Sequence, residues 1–174
     1  AALAAARREQ AAWRQGKVAA ERLREAEHLG SGPIPTARLL AMLGASGEPA
    51  PVEGARLAFA LRQAKGGGAI VLRSRFAEGR RFELARLLGD HLLFGRDAPA
   101  LPATRAYTFR QKAQRSFAAE LLSPFAAVEA MLDGDTSEEA IEGVARHFEV
   151  STMTIETLLV NNHRLEREAL ADVA

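Results

Sequence analysis

The spacing of apolar residues is the feature that most limits the fold of this 174-residue chain. Apolar side chains recur every three or four positions over residues 81–94 and 111–122, which is the period of an α-helix. A segment rich in Ala, Arg and Glu, residues 2–28, predicts a long amphipathic helix, and a shorter helix should follow Pro35 and end at Gly44. The chain should therefore be mostly helical.

Strand character is limited to two short runs, residues 56–62 and 69–73, on either side of the glycine-rich segment 65–68. Glycine supplies the backbone freedom of a hairpin turn, so these runs predict a small antiparallel sheet and an α+β fold. A phosphate-binding interpretation of the glycines is weak, because no Lys-Ser or Lys-Thr follows and the next element is a strand. The segments 47–54 and 97–108 contain prolines and are predicted to be loops, the second long enough to cover a cleft.

Composition and charge exclude several classes of protein. The chain has no cysteine, so neither disulfides nor thiolate metal sites can form. Residues 73–115 carry ten Arg or Lys against four acids, whereas residues 116–150 carry eight acids against Arg146 alone, although the formal net charge is only +1. These faces either attract each other within the fold or offer a basic surface to an anionic partner. No apolar run approaches the length of a membrane span and the start lacks a signal-peptide pattern, so a cytoplasmic protein without membrane contact is expected.

Three motifs follow one another in the second half of the chain: RFELARLLGDHLLF at 81–94, QRSFAAELLSP at 114–124 and VARHFEVS at 144–151. Together with WRQG at 13–16 and GPIP at 32–35, they resemble the ImmA/IrrE-like metallopeptidase domains of bacteria. The resemblance covers most of the chain. It implies a zincin-like, metallopeptidase-like core over residues 1–132, followed by a helix-turn-helix-like helical unit over residues 133–165 that packs on the core.

The sequence departs from that family at the positions that carry catalysis. An HExxH helix works because two His four residues apart bind one zinc ion, while the Glu serves as general base. Here those positions hold Arg86, Leu87 and Asp90. Arginine keeps its proton, leucine cannot accept one, and a lone carboxylate would not hold zinc. The family's third ligand, an acid, should lie within residues 111–114, which read Gln-Lys-Ala-Gln. We therefore expect no catalytic residues, metal or cofactor.

The replacements suggest a different use for the same cleft. Arg86 and Asp90 are at positions i and i+4, so an ion pair could occupy the space where the two histidines would have converged. An ordinary surface pair is the alternative. The sharper hypothesis is that Arg86, with Arg110 or Arg115 from the facing helix, forms a cationic pocket that binds a carboxylate or a phosphate.

The resemblance implies a regulatory or binding module in bacterial stress or transcription control, with a protein or peptide partner such as a transcriptional regulator, or a small anion. One alternative is an active metallo-endopeptidase that cleaves a repressor-type partner with non-standard ligands such as Asp90, His91 or Glu120. The other histidines, at positions 28, 147 and 163, do not fall at ligand spacing with one another.

A further alternative is a DNA-binding regulator that uses the last segment. Apolar residues around Val144 and Leu158 predict two helices, and Ser151 is placed to cap the second one. DNA readers insert the second helix into the major groove and neutralise phosphates with Lys or Arg. Here the second helix has no basic residue and the first is acidic, so nucleic acid is an unfavoured partner.

Overall fold

A computed structural model of the chain describes residues 2–45, 47, 49, 52–55, 58–62, 68–95, 100–103 and 108–166. These residues form mostly helices and one small sheet. The elements in chain order are α1 (Ala2–Ala26), α2 (Thr36–Met42), β1 (Ala58–Arg62), β2 (Gly68–Val71), α3 (Ala77–Phe94), β3 (Ala100–Ala103), α4 (Phe109–Leu122), α5 (Phe125–Leu132), α6 (Glu138–Phe148) and α7 (Thr152–Asn161). The predicted α+β class, mostly helical with a small antiparallel sheet, is confirmed.

The sheet has three antiparallel strands in the order β2-β1-β3. Phe59 of the central strand lies opposite Val71 on one side and Pro102 on the other. The predicted pairing of β1 with β2 is therefore confirmed, while the turn at residues 63–67 lies outside the described residues. The prediction of an uninterrupted loop over 97–108 is wrong, because residues 100–103 form the edge strand β3.

The helices agree with the predicted pattern except near their starts. α3 begins at Ala77 and α4 at Phe109, a few residues before the apolar period becomes evident in the sequence. α5 was not predicted. The junction of the last two helices is as predicted, since Glu149 ends α6 with a positive φ of 55° and the Ser151 hydroxyl accepts a hydrogen bond from the amide of Thr154.

α4 lies at the centre of the helical packing. On one side it meets α1, where the small residues Ala12, Gly16 and Ala20 allow the two backbones to approach closely. On another side it meets α3, where the ring of Phe117 lies against Gly89 so closely that a Cβ there would be 2.5 Å from Cδ1 of the ring. α4 can therefore carry side chains that reach both α1 and α3.

The apolar core has two parts. The larger cluster combines buried residues of α1, α3, α4 and α5 with those of α6 and α7, including Phe117 and Phe148. The smaller one lies between the sheet and the face of α3 that carries Leu84 and Leu87. The carboxyl-terminal helices thus share a core with α4, and the proposed boundary between residues 132 and 133 stays a prediction.

Arg81 ties the start of α3 to two distant parts of the chain. Its guanidinium donates hydrogen bonds to the carbonyl of Ile34 and the hydroxyl of Thr36, both at 2.8 Å. It also donates to the carbonyl of Glu149 at 3.2 Å and pairs with the Glu149 carboxylate at 3.1 Å. Since Arg81 is only 4% exposed, these partners satisfy a cation that burial would otherwise penalise. The turn between α6 and α7 is anchored to α3 in this way.

The length and hydropathy of a helix determine whether it can cross a membrane. Across the part of the chain that the structure describes, no helix has both the length and the apolar character needed to cross a bilayer.

Candidate functional site

Buried polar side chains lie between α3 and α4, in a region where apolar packing would be expected. Asp90 and Gln114 are fully buried, and Arg86 and Gln111 are at most 8% exposed. Arg86 and Asp90 share one face of α3 because they are four residues apart, and Gln111 and Gln114 share one face of α4 because they are three apart. The packing of α3 on α4 brings these two faces together.

The Asp90 carboxylate is held by three hydrogen bonds from α4. Arg110 donates from Nε to Oδ1 at 2.6 Å and from Nη2 to Oδ2 at 2.5 Å, which is the bidentate geometry of a strong arginine–carboxylate pair. Gln114 donates from Nε2 to Oδ1 at 2.5 Å. The Arg110 guanidinium lies 5.6 Å from the centre of the Phe94 ring. This hydrogen bonding to Asp90 raises the pKa of Arg110 above its usual value.

Gln114 connects the anion to the buried cation. Its Oε1 accepts a hydrogen bond from Arg86 Nη2 at 3.1 Å, while its Nε2 donates to Asp90. The amide is therefore oriented with its oxygen towards the guanidinium and its nitrogen towards the carboxylate, which is the electrostatically favourable direction. The same Arg86 nitrogen also donates to Gln111 Oε1 at 2.5 Å. Arg86 and Asp90 thus belong to one network that runs through Gln114.

The positive charge of this region exceeds its negative charge. The pKa of Arg86 is lowered to about 10, chiefly by burial and next by the nearby cation Arg115. Arg73 also lowers this pKa, whereas the carboxylates of Glu83 and Asp90 oppose the shift. A pKa of about 10 still leaves the guanidinium protonated at neutral pH. The Arg110 side chain is 37% exposed, so the network reaches solvent through this residue.

The structure therefore brings together the predicted residues Arg86, Asp90 and Arg110. Arg115 is half-buried and acts on Arg86 as a like charge. Leu87 is fully buried and packs towards the sheet, away from the polar network. The role of Gln111 and Gln114 was not predicted from the sequence, where they counted only as positions without an acid. Their spacing of three residues on a predicted helix could have indicated that they share one face.

The proposed non-standard metal ligands do not converge. Glu120 lies ten residues beyond Arg110 in α4, about 15 Å along the helix axis, while Asp90 is already engaged with Arg110 and Gln114. Within the described residues, no group of three or more His, Asp or Glu side chains is placed to hold a metal ion. The amide and guanidinium groups around Asp90 are hydrogen-bond donors to a carboxylate and do not fit a zinc ion.

Glu120 instead has a structural environment of its own. It is only 4% exposed, and its Oε1 accepts a hydrogen bond at 3.1 Å from the amide of Phe125 at the start of α5. Its Oε2 is buried and makes no hydrogen bond with any described residue. Burial raises the pKa of the Glu120 carboxyl, and this effect exceeds the opposing effects of the Phe125 amide and of Lys17.

This environment predicts a pH-dependent gain from Glu120→Gln. The folded protein holds the Glu120 proton at pH values where the unfolded chain has released it, so the contribution of Glu120 to stability is greatest below pH 4.5 and is lost as the pH rises through the folded pKa. The uncharged amide avoids that loss. We expect Glu120→Gln to raise Tm at pH 8 more than at pH 4.5, measured by thermal unfolding. Glu53→Gln, at an exposed loop position, is the control; an equal effect of both variants, or no pH dependence, would contradict the assignment.

Comparison of the chain with models of known protein families and with curated proteins finds no match. The site must therefore be interpreted from its own chemistry: a buried carboxylate, the Gln114 amide that bridges it to Arg86, the Gln111 amide that also accepts from Arg86, and an excess of guanidinium groups.

Proposed function

We propose that this chain is a catalytically inactive ImmA/IrrE-like domain with a zincin-like frame, which acts as a regulatory binding module. The single observation that carries the proposal is the chain of hydrogen bonds that links Arg86, Gln114, Asp90 and Arg110. It lies where α3 and α4 would present the zinc ligands and the general base of such a peptidase. The network crosslinks the two helices through charge and hydrogen bonds, which is a task that a metal ion would otherwise perform.

The ligand that this region favours is an anion. The guanidinium groups of Arg86, Arg110 and Arg115 outnumber the carboxylates of Asp90 and Glu83 near them, and Glu83 is paired with a further arginine, Arg73. An added carboxylate or a phosphate would therefore meet favourable charge. Arg110 offers the route from solvent, because its side chain is partly exposed while Asp90 is not. A protein or peptide partner with an acidic or phosphorylated side chain, such as a transcriptional regulator in the bacterial cytoplasm, would suit this site.

The two alternatives receive less support from the same contacts. A peptidase with non-standard ligands would need Asp90, which is engaged with Arg110 and Gln114, or Glu120, which lies six residues beyond Gln114 in α4 and accepts a hydrogen bond from the amide of Phe125. A helix-turn-helix reader of DNA would need an exposed basic second helix. α7 has no Lys or Arg, and its residues Ile155, Leu158 and Leu159 are buried in the core.

The proposal is tested by phosphate binding to matched variants. A ligand that binds only the folded state stabilises it by RT ln(1 + L/Kd), where L is the ligand concentration, so Tm rises with the ligand concentration. We expect millimolar inorganic phosphate, at constant ionic strength, to raise Tm of the wild type and to raise it much less for Arg115→Gln. The control, Arg75→Gln, removes an exposed arginine just before the start of α3, and phosphate should raise its Tm as much as it raises that of the wild type.

Two outcomes would count against this function. Equal phosphate responses of the wild type, Arg75→Gln and Arg115→Gln would place the anion elsewhere or show only a general salt effect. Purified protein that carries one zinc ion per chain, and hydrolyses a peptide substrate until a chelator is added, would overturn the loss of catalysis and support the peptidase alternative.

A further inference from the structure

A groove of about 770 Å³ lies between α1 and the carboxyl-terminal end of α3. On the α1 side its apolar lining runs from Ala11 past Val18 to Leu23, and on the α3 side it is formed by Leu92 and its neighbour in the chain. None of these residues belongs to the polar network between α3 and α4. The groove is therefore a separate surface.

The lining residues of α1 follow a helical stripe. Positions 11, 15, 18 and 22 recur at intervals of three or four, and the stripe from Ala11 to Leu23 spans twelve residues, about 18 Å along the axis. α4 packs on a different face of α1, the one that carries Ala12, Gly16 and Ala20. Ala19 and Leu23, at one edge of the stripe, pack partly against the core, whereas Ala11, Gln15 and Arg22 are exposed. The exposed part of the stripe is available to a partner.

The α3 wall shows that the groove is left uncovered by the described part of the chain. Leu92 is 47% exposed, whereas Leu84, Leu87 and Leu88 on the same helix are at most 2% exposed. Leu92 is continuous with the apolar lining that Leu93, Val18 and Leu23 provide, and a continuous exposed apolar surface, unlike a single exposed residue, can mark a binding site. An apolar groove along the side of a helix suits another amphipathic helix, which can pack its side chains into it.

The charged residues that line the groove determine which kind of amphipathic helix it can bind. Arg14 and Arg22 are exposed, line the groove and lie eight residues apart, about 12 Å along α1. None of the described residues that line the groove is acidic. A helix with acidic residues beside its apolar stripe would place carboxylates next to both arginines, whereas a basic helix would be repelled.

We propose that this groove binds an acidic amphipathic helix of a partner protein. The bound helix presents leucine-type side chains at intervals of three and four to the apolar floor, and Glu or Asp on its flanks to Arg14 and Arg22. Three turns are enough to fill the length of the groove. This interaction is independent of the proposed anion site, because it uses different residues and a different pair of helices.

The test uses a synthetic, fluorescein-labelled peptide of about 16 residues, long enough for the three to four helical turns that the groove accepts. Its leucines follow the helical stripe and its flanking positions are Glu. Fluorescence anisotropy with the full chain should show saturable binding. A peptide with Lys in place of Glu, and one of the same composition with its leucines scrambled, should each bind at least about tenfold more weakly, because they remove charge complementarity or the apolar stripe.

Protein variants locate the binding surface. Arg22→Glu should weaken binding of the acidic peptide at least about tenfold, since it places a like charge beside the peptide carboxylates. Leu92→Gln should also weaken it, and this exposed position should tolerate the change, which circular dichroism and Tm will check. Arg75→Glu has the same charge change at the opposite end of α3 and should leave binding unchanged.

Several results would overturn the proposal. The first is the absence of saturable binding at about 100 µM protein, a concentration that detects complexes with a Kd of about 100 µM or lower. The others are equal affinity for the acidic, basic and scrambled peptides, and unchanged affinity in Arg22→Glu and Leu92→Gln. A dimer in light scattering that dissociates in Leu92→Gln would show that a second copy of the chain is the occupant. Because phosphate binding is measured separately with Arg115→Gln, failure of the peptide test does not affect the anion site.

Discussion

Replacing Gly16 by alanine should lower the free energy of unfolding by roughly 3 kcal/mol, which corresponds to roughly 6 to 12 °C in Tm for a chain of this size. A Cβ at position 16 would lie 2.2 Å from the carbonyl oxygen of Ala113, 2.8 Å from the amide nitrogen of Phe117 and 2.9 Å from Cβ of Ser116. Two of these atoms belong to the backbone of α4, so no side-chain rotation relieves the clash. The two helices would have to separate along their whole interface.

A second glycine gives a matched control in the same kind of element. Gly143 lies inside α6, and a Cβ there would meet no atom within 4 Å. Gly143→Ala should therefore show only the helix propensity of alanine and raise the free energy of unfolding by about 1 kcal/mol. Thermal or denaturant unfolding of both variants measures the difference.

The packing of α1 on α4 is tested by whether each substitution raises or lowers the free energy of unfolding. The two substitutions are chemically identical, and their intrinsic effect on helix stability is the same, so a loss at position 16 with a gain at position 143 must come from the contact between α1 and α4. A gain at both positions would mean that the helices are farther apart than the structure places them. The Ser116 hydroxyl, which donates to the carbonyl of Trp13 at 2.7 Å, would then also lack its partner.

The helices were predictable because their signal is local. Apolar spacing, the glycine after α2 and the Ser151 cap are properties of a few neighbouring residues. Each predicted helix is present, with bounds that differ from the prediction by a few residues. The start of α3 was less predictable, since Phe76 precedes it without a side-chain cap and the first turn is exposed. Helix starts without a cap or an apolar face leave little trace in the sequence.

The edge strand β3 could not be predicted, because its stability comes from a distant partner. Its sequence, ALPA, has no alternating pattern, and Pro102 cannot donate a hydrogen bond to a sheet. Proline is tolerated at the edge of a sheet, where one side of the strand has no neighbour. Only the position of β1 makes this segment a strand.

The candidate site, too, could be predicted from the sequence only in part. The helical spacing alone placed Arg86 and Asp90 on one face of α3. The partners of Asp90, however, depend on the register between α3 and α4, which is set by Gly89 against Phe117 and is not encoded in either segment by itself. The bridging role of Gln114 therefore required the structure, although the cationic residues Arg110 and Arg115 on the facing helix were identified correctly as neighbours of the site.

Asp90→Ala should be the most destabilising single substitution in this network, at about 3 to 5 kcal/mol. The Asp90 carboxylate is fully buried and accepts from both Arg110 and Gln114. Its removal takes away the carboxylate oxygen to which Gln114 donates and the negative charge that faces Arg110, in a region that also holds the buried cation Arg86. Denaturant unfolding of the wild type and the variant measures the loss.

The exposed pair of Arg38 with Glu27 is the control for burial. Its nitrogen–oxygen distance, 2.5 Å, is the same as that between Arg110 and Asp90, but both of its side chains are more than one-third exposed. Water compensates for a lost partner at such a surface, so Glu27→Ala should change the free energy of unfolding by at most about 1 kcal/mol. Both substitutions remove the carboxylate partner of an arginine, and they differ chiefly in how deeply that carboxylate is buried.

A similar small loss in Asp90→Ala and Glu27→Ala would contradict the view that charge holds α3 and α4 together. The comparison with Asp90→Asn separates charge from shape, because the amide keeps the volume of the side chain and one acceptor oxygen. A loss in Asp90→Asn that approaches that of Asp90→Ala would assign the stabilisation to the negative charge, which balances Arg86 and Arg110. A much smaller loss in Asp90→Asn would assign the stabilisation to the hydrogen bonds from Gln114 and Arg110. The fold would then tolerate the excess positive charge, and a bound anion could neutralise that charge.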